Sequence, residues 1–524
     1  MIHPTPNRTK RVFFFVSFLS FLSSPFHSTF FPTHFFPYIN HNTTKTSTPQ
    51  KKHNQNLNYF KKKHTHSLSL SKITMLLFQH CSSNKNKMYL FLFVLFFSIN
   101  PSQQTNSTKT KTLSLSFPLT SLSLSNTTTS KMLYTSQLFS TTKKPNNPQN
   151  KTTPSYNYKF SFKYSMALII NLPIGTPPQT QPMVLDTGSQ LSWIQCHKKQ
   201  PPTASFDPSL SSTFSILPCT HPLCKPRIPD FTLPTSCDQN RLCHYSYFYA
   251  DGTYAEGNLV REKFTFSRSV STPPLILGCA TESTDPRGIL GMNLGRLSFA
   301  KQSKITKFSY CVPPRQTRPG FSPTGSFYLG NNPSSKGFKY VGMMTSSRQR
   351  MPNFDPLAYT IPMVGIRIAG KKLNISPAVF RADAGGSGQT MIDSGSEFTY
   401  LVSEAYDKVR AEVVRAVGSR LKKGYVYGGV ADMCFDSVKA VVIGRLIGEM
   451  VFEFERGVEV VIPKERVLAD VGGGVHCVGI GSSDKLGAAS NIIGNFHQQN
   501  LWVEFDLVRR RVGFGKADCS RLAK

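Results

Sequence analysis

Two short motifs in this sequence place an aspartate in the same chemical surroundings. Residues 184–189 read Val-Leu-Asp-Thr-Gly-Ser, and residues 391–396 read Met-Ile-Asp-Ser-Gly-Ser. Each apolar pair predicts a strand that holds Asp186 or Asp393 at its end, where the glycine permits a tight turn. Two carboxylates brought side by side do not both ionise easily, so the pair shares a proton. The ionised member takes a proton from water while the protonated member donates to a carbonyl under attack, without a metal, another cofactor or a covalent intermediate.

A second pair of matching segments follows the two aspartates. Residues 289–291 read Ile-Leu-Gly and end 105 residues after Asp186. Residues 492–494 read Ile-Ile-Gly and end 101 residues after Asp393. A single motif of this kind is also compatible with an ordinary turn that begins at an aspartate. Two matched pairs at nearly equal offsets instead predict a duplicated lobe, with the two aspartate turns meeting at a pseudo-twofold axis.

The elements around these motifs are typical of a β-rich protein. From about residue 166, short apolar stretches alternate with Gly, Pro, Asn and Asp. Residues 451–455 and 458–462 predict a hairpin. One helix is predicted to begin near Ser403, which we expect to cap it. Its predicted core-facing stripe is Tyr406, Val409, Val413 and Val417.

Positive charge is concentrated at the N-terminal end of this 524-residue chain. The formal net charge is +33, from 61 Lys and Arg against 28 Asp and Glu. No acidic residue precedes Asp186, and 20 of the basic residues lie at or before Lys163. A strongly basic chain invites a nucleic-acid interpretation, but these lysines lie among Ser, Thr, Asn and Phe without a groove-reading or RNA-binding motif. We therefore expect no nucleic-acid partner.

The leader contains two segments that resemble secretory signals. In each, basic residues precede an apolar run, residues 12–22 or 88–99, that is too short to span a bilayer. We prefer the second run, which begins at Met88. We expect the protein to enter the secretory pathway and to reside outside the cell, in the endoplasmic reticulum or in the vacuole, with no stable membrane span. A Ser-rich leader without acidic residues also fits a transit peptide, which leaves the chloroplast as an alternative.

These features predict five consecutive parts of the chain. They are a disordered leader that resembles translated non-coding sequence (1–87), a signal peptide (88–105), a short pro-segment or linker (106–165), an N-terminal lobe that contains Asp186 (166–352) and a C-terminal lobe that contains Asp393 (353–524).

The cysteines favour an oxidising compartment. The chain has 11, and Cys81 precedes the preferred signal, so ten remain for the folded region. An even number fits five disulfides, although ten cysteines allow too many pairings to choose among. Free buried thiols are the alternative. A metal site is not favoured, because His221 and His244 lie near three cysteines without the spacing of a zinc finger.

Residues 166–519, about two thirds of the chain, resemble the pepsin family of aspartic proteases. The resemblance is closer to the nepenthesin-like plant group, since its second motif also has Ser after Asp393, and residues 196–243 resemble its Cys-rich insertion. Within that group the chain is similar to the branch linked to promotion of cell survival. The resemblance implies an all-β, bilobal fold with two pseudo-symmetric lobes and the active site between them. It also implies a monomeric endopeptidase with polypeptide substrates.

The resemblance assigns roles to particular residues. Residues 249–253 resemble the hairpin, or flap, that covers the substrate, with Tyr249 at the covering position and Trp193 where the family has its flap-bonding Trp. The implied catalytic residues are Asp186 and Asp393, and the implied residues for substrate binding and support of the pair are Thr187, Gly188, Ser189, Trp193, Tyr249, Ser394, Gly395 and Ser396.

Three features depart from the family pattern. Ala250 occupies a flap position that is often Gly, which would stiffen the opening of the flap. Glu397 directly follows the second motif; we expect it to be solvated, whereas an inward carboxylate would raise the pKa of the pair. No long pro-segment is recognisable between Ile99 and Met166.

Other functions fit the sequence less well. A catalytically silent binding protein, similar to plant xylanase inhibitors of this fold, is the main alternative, but such proteins commonly lack part of the active-site set. A Ser or Cys hydrolase is not favoured, because no Gly-x-Ser-x-Gly elbow occurs. We interpret Cys196 as a half-cystine beside a surface His197.

We predict that tryptic peptides from the purified native protein map only downstream of about residue 99. The segment 1–87 has too little patterned apolar surface to offset the entropy of ordering it. Translation from Met88 or Met75 would instead place a signal sequence at the start. Mass spectrometry of the mature protein checks this, and peptides from residues 53–61 would contradict it.

Overall fold

The computed structural model describes residues 114–121, 167–196, 205–225, 235–250, 252–315, 323–346 and 351–521. Several sequence predictions lie outside these residues. They are the leader, both signal-like segments, most of the predicted pro-segment or linker, His197 and Asp251 of the flap motif.

The first half of the described chain is built almost entirely from strands. Its strands are β1 (Leu115–Ser121), β2 (Leu168–Ile174), β3 (Gln179–Asp186), β4 (Trp193–Gln195), β5 (Ser215–Ile216), β6 (Ser236–Cys237), β7 (Cys243–Phe248), β8 (Tyr254–Glu262), β9 (Thr265–Ser267), β10 (Val270–Ser271), β11 (Leu275–Ser283), β12 (Gly288–Gly291), β13 (Lys307–Cys311), β14 (Thr324–Leu329) and β15 (Lys339–Gly342). A single helical turn, α1, spans Phe299–Gln302.

The second half has the same character. Its strands are β16 (Met363–Ile368), β17 (Lys371–Lys372), β18 (Thr390–Ile392), β19 (Thr399–Leu401), β20 (Cys434–Asp436), β21 (Met450–Phe454), β22 (Val458–Ile462), β23 (Leu468–Gly472), β24 (Val475–Val478), β25 (Ile480–Ser482), β26 (Asn491–Ile493), β27 (Leu501–Asp506) and β28 (Arg511–Lys516). Its helices are α2 (Ser403–Val417) and α3 (Ala440–Ile447).

The two halves repeat one arrangement of strands. In the first, β12 runs parallel to β3 and antiparallel to β4, and β11 runs parallel to β4. In the second, β26 runs parallel to β18 and antiparallel to β19, and β25 runs parallel to β19. Ile289 faces Trp193 in the first set as Ile492 faces Tyr400 in the second. The prediction of an all-β fold with two pseudo-symmetric lobes is therefore confirmed.

The lobes are joined by a shared sheet. Strand β13 of the first lobe pairs antiparallel with β27 of the second, with Phe308 opposite Phe505. The rings of these two residues stack at 4.6 Å, and Phe505 also lies 4.3 Å from the ring of Tyr359. All three side chains are fully buried. The last turn of the chain is tied to the same sheet by a disulfide between Cys311 and Cys519.

The ten cysteines of the folded region form five disulfides, as the sequence predicted. The structure supplies the connectivity that the sequence left open. The pairs are Cys196–Cys279, Cys219–Cys237, Cys224–Cys243, Cys311–Cys519 and Cys434–Cys477.

Three local predictions have different outcomes. The hairpin is confirmed as β21 and β22. The predicted stripe of α2 is buried, but Ser403 is not its cap, because the helix begins at Ser403 and the Ser403 hydroxyl donates to Asp484 instead. Strand β1 pairs with β14 and β2, so part of the range that we assigned to a pro-segment or linker lies in the sheet of the first lobe.

Among the described residues, no helix is long and apolar enough to cross a membrane.

We predict that Phe505→Ala lowers the free energy of unfolding by about 3–5 kcal/mol, because it removes a ring from the buried contact between the lobes. Chemical denaturation with the disulfides intact measures the effect. Val508→Ala, three residues further along the chain at a side chain that is 70% exposed, is the control and should change stability by less than about 0.5 kcal/mol. Equal effects of the two substitutions would contradict the importance of this contact.

Candidate active site

The two aspartates lie at the ends of equivalent strands. Asp186 is the last residue of β3, and Asp393 directly follows β18. The backbone N–H groups of Gly188 and Ser189 donate to Asp186 Oδ1 at 2.8 and 3.2 Å. At Asp393, the N–H of Gly395 donates to Oδ1 at 2.9 Å. Each turn therefore holds its carboxylate against the backbone that follows it, a partner that favours the charged form.

The glycine of each motif leaves room for the opposite carboxylate. A Cβ built on Gly395 would lie 2.3 Å from Asp186 Oδ1, and one built on Gly188 would lie 2.9 Å from the Asp393 carboxyl group. Both distances are below ordinary van der Waals contact. The tight turn of each motif is one reason for its glycine. The structure adds a second reason, which is that any side chain there would push the two aspartates apart.

The hydroxyl residues of the two motifs bind each other across the lobe boundary. The N–H of Ser394 donates to Thr187 Oγ1 at 2.9 Å, and the N–H of Thr187 donates to Ser394 Oγ at 3.1 Å. Ser394 Oγ then donates to Leu185 O at 2.8 Å, and Thr187 Oγ1 donates to Ile392 O at 3.4 Å. Both hydroxyl side chains are fully buried. This reciprocal set fixes the spacing and orientation of the two turns.

The surroundings of Asp186 favour its protonated form. Burial and the nearby Asp393 carboxylate raise the pKa of Asp186 to about 7. The serines that end the motifs differ. Ser396 Oγ donates to Asp393 Oδ2 at 2.6 Å, whereas the buried Ser189 hydroxyl makes no hydrogen bond of ordinary geometry, although its proximity lowers the pKa of Asp186 somewhat. The repulsion between the two carboxylates therefore adds to the effect of burial.

Two asparagines that the sequence analysis did not single out brace the motifs. Asn293 Nδ2 donates to Gly188 O at 3.3 Å, and Asn495 Nδ2 donates to Ser394 O at 3.0 Å. Each follows a glycine of the second repeat, Gly291 or Gly494, by one or two residues. The signal was therefore present in the sequence as an Asn at nearly the same offset in both repeats.

The predicted flap is the hairpin of β7 and β8. Its tip closes through the N–H of Tyr249, which donates to Thr253 O at 2.8 Å. Trp193 Nε1 donates to the Tyr249 hydroxyl at 2.8 Å, so the structure brings together the two residues that the resemblance paired. Trp193 is fully buried, and Tyr249 packs on the same apolar cluster. Phe248, the neighbour of Tyr249, is 47% exposed and faces the other side of the hairpin.

Glu397 differs from its prediction. We expected a solvated carboxylate, but Glu397 is buried and its Oε1 lies 3.2 Å from Nη1 of Arg315, whose side chain is 9% exposed. The two residues lie 82 positions apart, so no local pattern indicates the pair. The N–H of Arg315 donates to Gln499 Oε1 at 2.6 Å, which ties the segment after β13 to the second lobe. A buried acid beside the second motif is thus neutralised by an ion pair between lobes.

Among the described residues, no three His, Cys, Asp or Glu side chains cluster as metal ligands. The carboxylates of Asp186 and Asp393 lie close together, an arrangement that suits activation of a water placed between them.

Comparison with known proteins gives consistent matches over the described lobes. The xylanase inhibitor N-terminal family model matches residues 168–330, and the xylanase inhibitor C-terminal model matches residues 358–516, together more than half of the chain. The crystal structure of edgp covers 67% of this chain and 92% of its own, with a TM-score of 0.49 and 18% identity.

Two plant proteases are similar to the chain at higher identity. Aspartic proteinase PCS1 of Arabidopsis thaliana is 36% identical over 386 residues, which cover 69% of this chain and 84% of the relative. Aspartic proteinase nepenthesin-1 of Nepenthes gracilis is 33% identical over 366 residues, which cover 67% of this chain and 78% of the relative. The chain therefore belongs to the nepenthesin-like plant aspartic proteases of the pepsin family.

Proposed function

We propose that the protein is an aspartic endopeptidase that hydrolyses peptide bonds at acid pH with a water activated by Asp186 and Asp393. The observation that carries this proposal is the reciprocal packing of the motifs, in which each glycine faces the opposite carboxylate. That packing has no evident use in a protein that only binds. The family relationship supports the reaction class.

The reaction requires the pair to hold one proton. Burial and the charge of Asp393 raise the pKa of Asp186 to about 7, so a shared proton is retained in acid solution. The ionised carboxylate takes a proton from the bound water as its oxygen attacks the peptide carbonyl carbon. The protonated carboxyl donates to the carbonyl oxygen, which gives a neutral tetrahedral diol. The carboxyl that took the proton from water then donates it to the departing nitrogen, while the other carboxylate accepts a proton from one hydroxyl of the diol. The C–N bond breaks, the two peptides are released and the pair again holds one proton.

The substrate we propose is an extended polypeptide. A cleft between two β lobes presents backbone groups that bind a strand, while side pockets select residues. The flap covers the bound segment, with Tyr249 held toward the cleft by Trp193. By the family resemblance, apolar or aromatic residues are preferred on both sides of the cleaved bond.

A silent inhibitor of another enzyme is the second candidate function. It is favoured by the two matching family models, which are those of the xylanase inhibitor N-terminal and C-terminal domains. Activity on a denatured protein at acid pH, blocked by pepstatin, discriminates between the two. Inhibition of a xylanase without any proteolysis would favour the second candidate.

We also propose that the protein matures in the secretory pathway. Five disulfides join residues as far apart as Cys311 and Cys519, and such bonds persist in oxidising compartments. Localisation of a C-terminally tagged chain tests this, and a signal confined to the cytosol would contradict it.

We predict that Asp186→Asn and Asp393→Asn each abolish hydrolysis, with a loss of at least about 10³-fold in kcat/KM, because each removes one half of the proton-sharing pair. Cleavage of a fluorogenic apolar peptide measures the loss. Asp407→Asn, at an exposed position of α2, is the matched control and should retain full activity. Near-normal turnover by either active-site variant would overturn the assignment.

The Asp186→Asn substitution also gives a test that does not depend on turnover. Because the folded pKa of Asp186 is raised to about 7, the native state holds a proton that the unfolded chain releases near pH 4. This stabilisation is complete below about pH 4 and is lost as the pH rises through about 7. The melting temperature should therefore fall less between pH 4 and pH 8 in Asp186→Asn than in the wild type. An equal fall would show that Asp186 is not the buried, proton-holding group.

We predict that Tyr249→Ala lowers kcat/KM by about tenfold to a hundredfold with little change in melting temperature, because a flap residue positions substrate more than it supports the core. Tyr249→Phe, which removes only the hydroxyl that accepts from Trp193, should have a smaller effect. Phe248→Ala, on the outer face of the same hairpin, is the control. A similar loss for Phe248→Ala would mean that the hairpin as a whole, not Tyr249, is responsible.

A further inference from the structure

We propose that Tyr310 and Gln498 form a positioning pair that holds Asp393 in place through its backbone carbonyl. The hydrogen bonds of this pair begin at Tyr310, on the sheet shared by the two lobes. The proposal rests on the proposed function, since positioning matters only if Asp393 is catalytic. Neither residue lies in the two motifs, and neither is expected to contact the substrate, because both are buried.

The pair begins on a rigid element. Tyr310 is in β13, opposite Val503 of β27, and the next residue, Cys311, is held by the disulfide to Cys519. The Tyr310 side chain is fully buried, and its hydroxyl donates to Gln498 Oε1 at 2.6 Å. Burial raises the pKa of Tyr310 well above its usual value, so the hydroxyl remains a donor throughout the pH range of activity.

Gln498 connects Tyr310 to the second aspartate, Asp393, by hydrogen bonds. Its Nε2 donates to Ile493 O at 2.8 Å and to Asp393 O at 3.2 Å. The N–H of Asp393 also donates to Ile493 O, at 3.1 Å. One amide group therefore binds both the carbonyl of Asp393 and the carbonyl of Ile493 in β26, the strand that pairs with β18. Loss of this amide would remove the Gln498 donor from the carbonyl of Asp393, whereas Ile493 O would keep the N–H of Asp393.

The first aspartate is held in a different way. The carbonyl of Asp186 accepts from the N–H of Met292 at 2.8 Å, a backbone contact that no side-chain substitution removes. The carbonyl of Asp393 is bound by a side chain, which is itself oriented by Tyr310. The Tyr310 hydroxyl also lies near the hydroxyls of Thr187 and Ser394, close enough for both to influence its pKa. Tyr310 therefore lies near the supports of both motifs, and Gln498 connects it to the backbone of the second.

The test uses Tyr310→Phe and Gln498→Met, which keep the volume of each side chain approximately and remove the hydrogen bonds. We expect kcat for an apolar peptide to fall by about tenfold in each, with KM within about twofold, because a small displacement of a reacting group affects chemistry more than binding. The kcat of the double variant should be no lower than that of the less active single variant, because the two residues act through one series of hydrogen bonds. Tyr340→Phe, which removes a 2.6 Å bond to Glu504 elsewhere on the shared sheet, is the control and should leave kcat unchanged.

Hydrogen exchange measured by mass spectrometry provides the readout that does not require activity. In Tyr310→Phe, a peptide that spans residues 390–396 should exchange faster than in the wild type, and this increase should exceed any change in a peptide that spans residues 184–190. Wild-type kcat in Tyr310→Phe, or unchanged exchange in residues 390–396, would overturn the positioning role. An inactive wild type with the expected exchange pattern would instead overturn the proposed function and leave the structural role of the pair supported.

Discussion

Two carboxylates packed against each other repel when both are charged, and the structure around them is organised to keep them together. Repulsion across a buried gap would separate two independent turns. Here the turns are joined by the reciprocal hydrogen bonds of Thr187 and Ser394, and each faces a glycine that admits the opposite carboxylate. Burial and the remaining repulsion from Asp393 raise the pKa of Asp186, and this is the property that proton-sharing hydrolysis uses.

The duplicated architecture follows from the same constraint. One strand–turn unit can present one carboxylate, and a second copy related by a pseudo-twofold axis supplies the other at the equivalent position. The pairing of β13 with β27 and the stacked rings of Phe308 and Phe505 then hold the two copies in a fixed relation. The symmetry is not complete, because Ser396 donates to its aspartate and Ser189 makes no comparable bond. Such differences allow two chemically identical residues to take different roles in one reaction.

The sequence was sufficient to predict those features of the fold and site that depend on a local pattern or on a repeat. The duplicated motifs, the hairpin at β21 and β22 and the number of disulfides were all predictable, because each depends on neighbouring residues or on a count. The burial of Glu397 was not predictable, since its partner Arg315 lies 82 positions earlier and an isolated Glu is normally solvated. Ser403 failed as a cap because Asp484, a distant residue, accepts its hydroxyl. The position of β1 was missed because its strand pattern is short and its partners come from later in the chain.

We propose that Asp186 and Asp393 act as one acid–base pair with a single shared proton. The most direct test is the pH dependence of kcat/KM for cleavage of an apolar peptide by the mature protein. We predict a bell-shaped curve, in which activity is lost as the pH rises through about 7, where the shared proton leaves the pair. Activity is lost again in strong acid, where both carboxyls are protonated. A rate that rises with pH to a plateau above pH 8 would contradict the shared proton and the proposed mechanism with it.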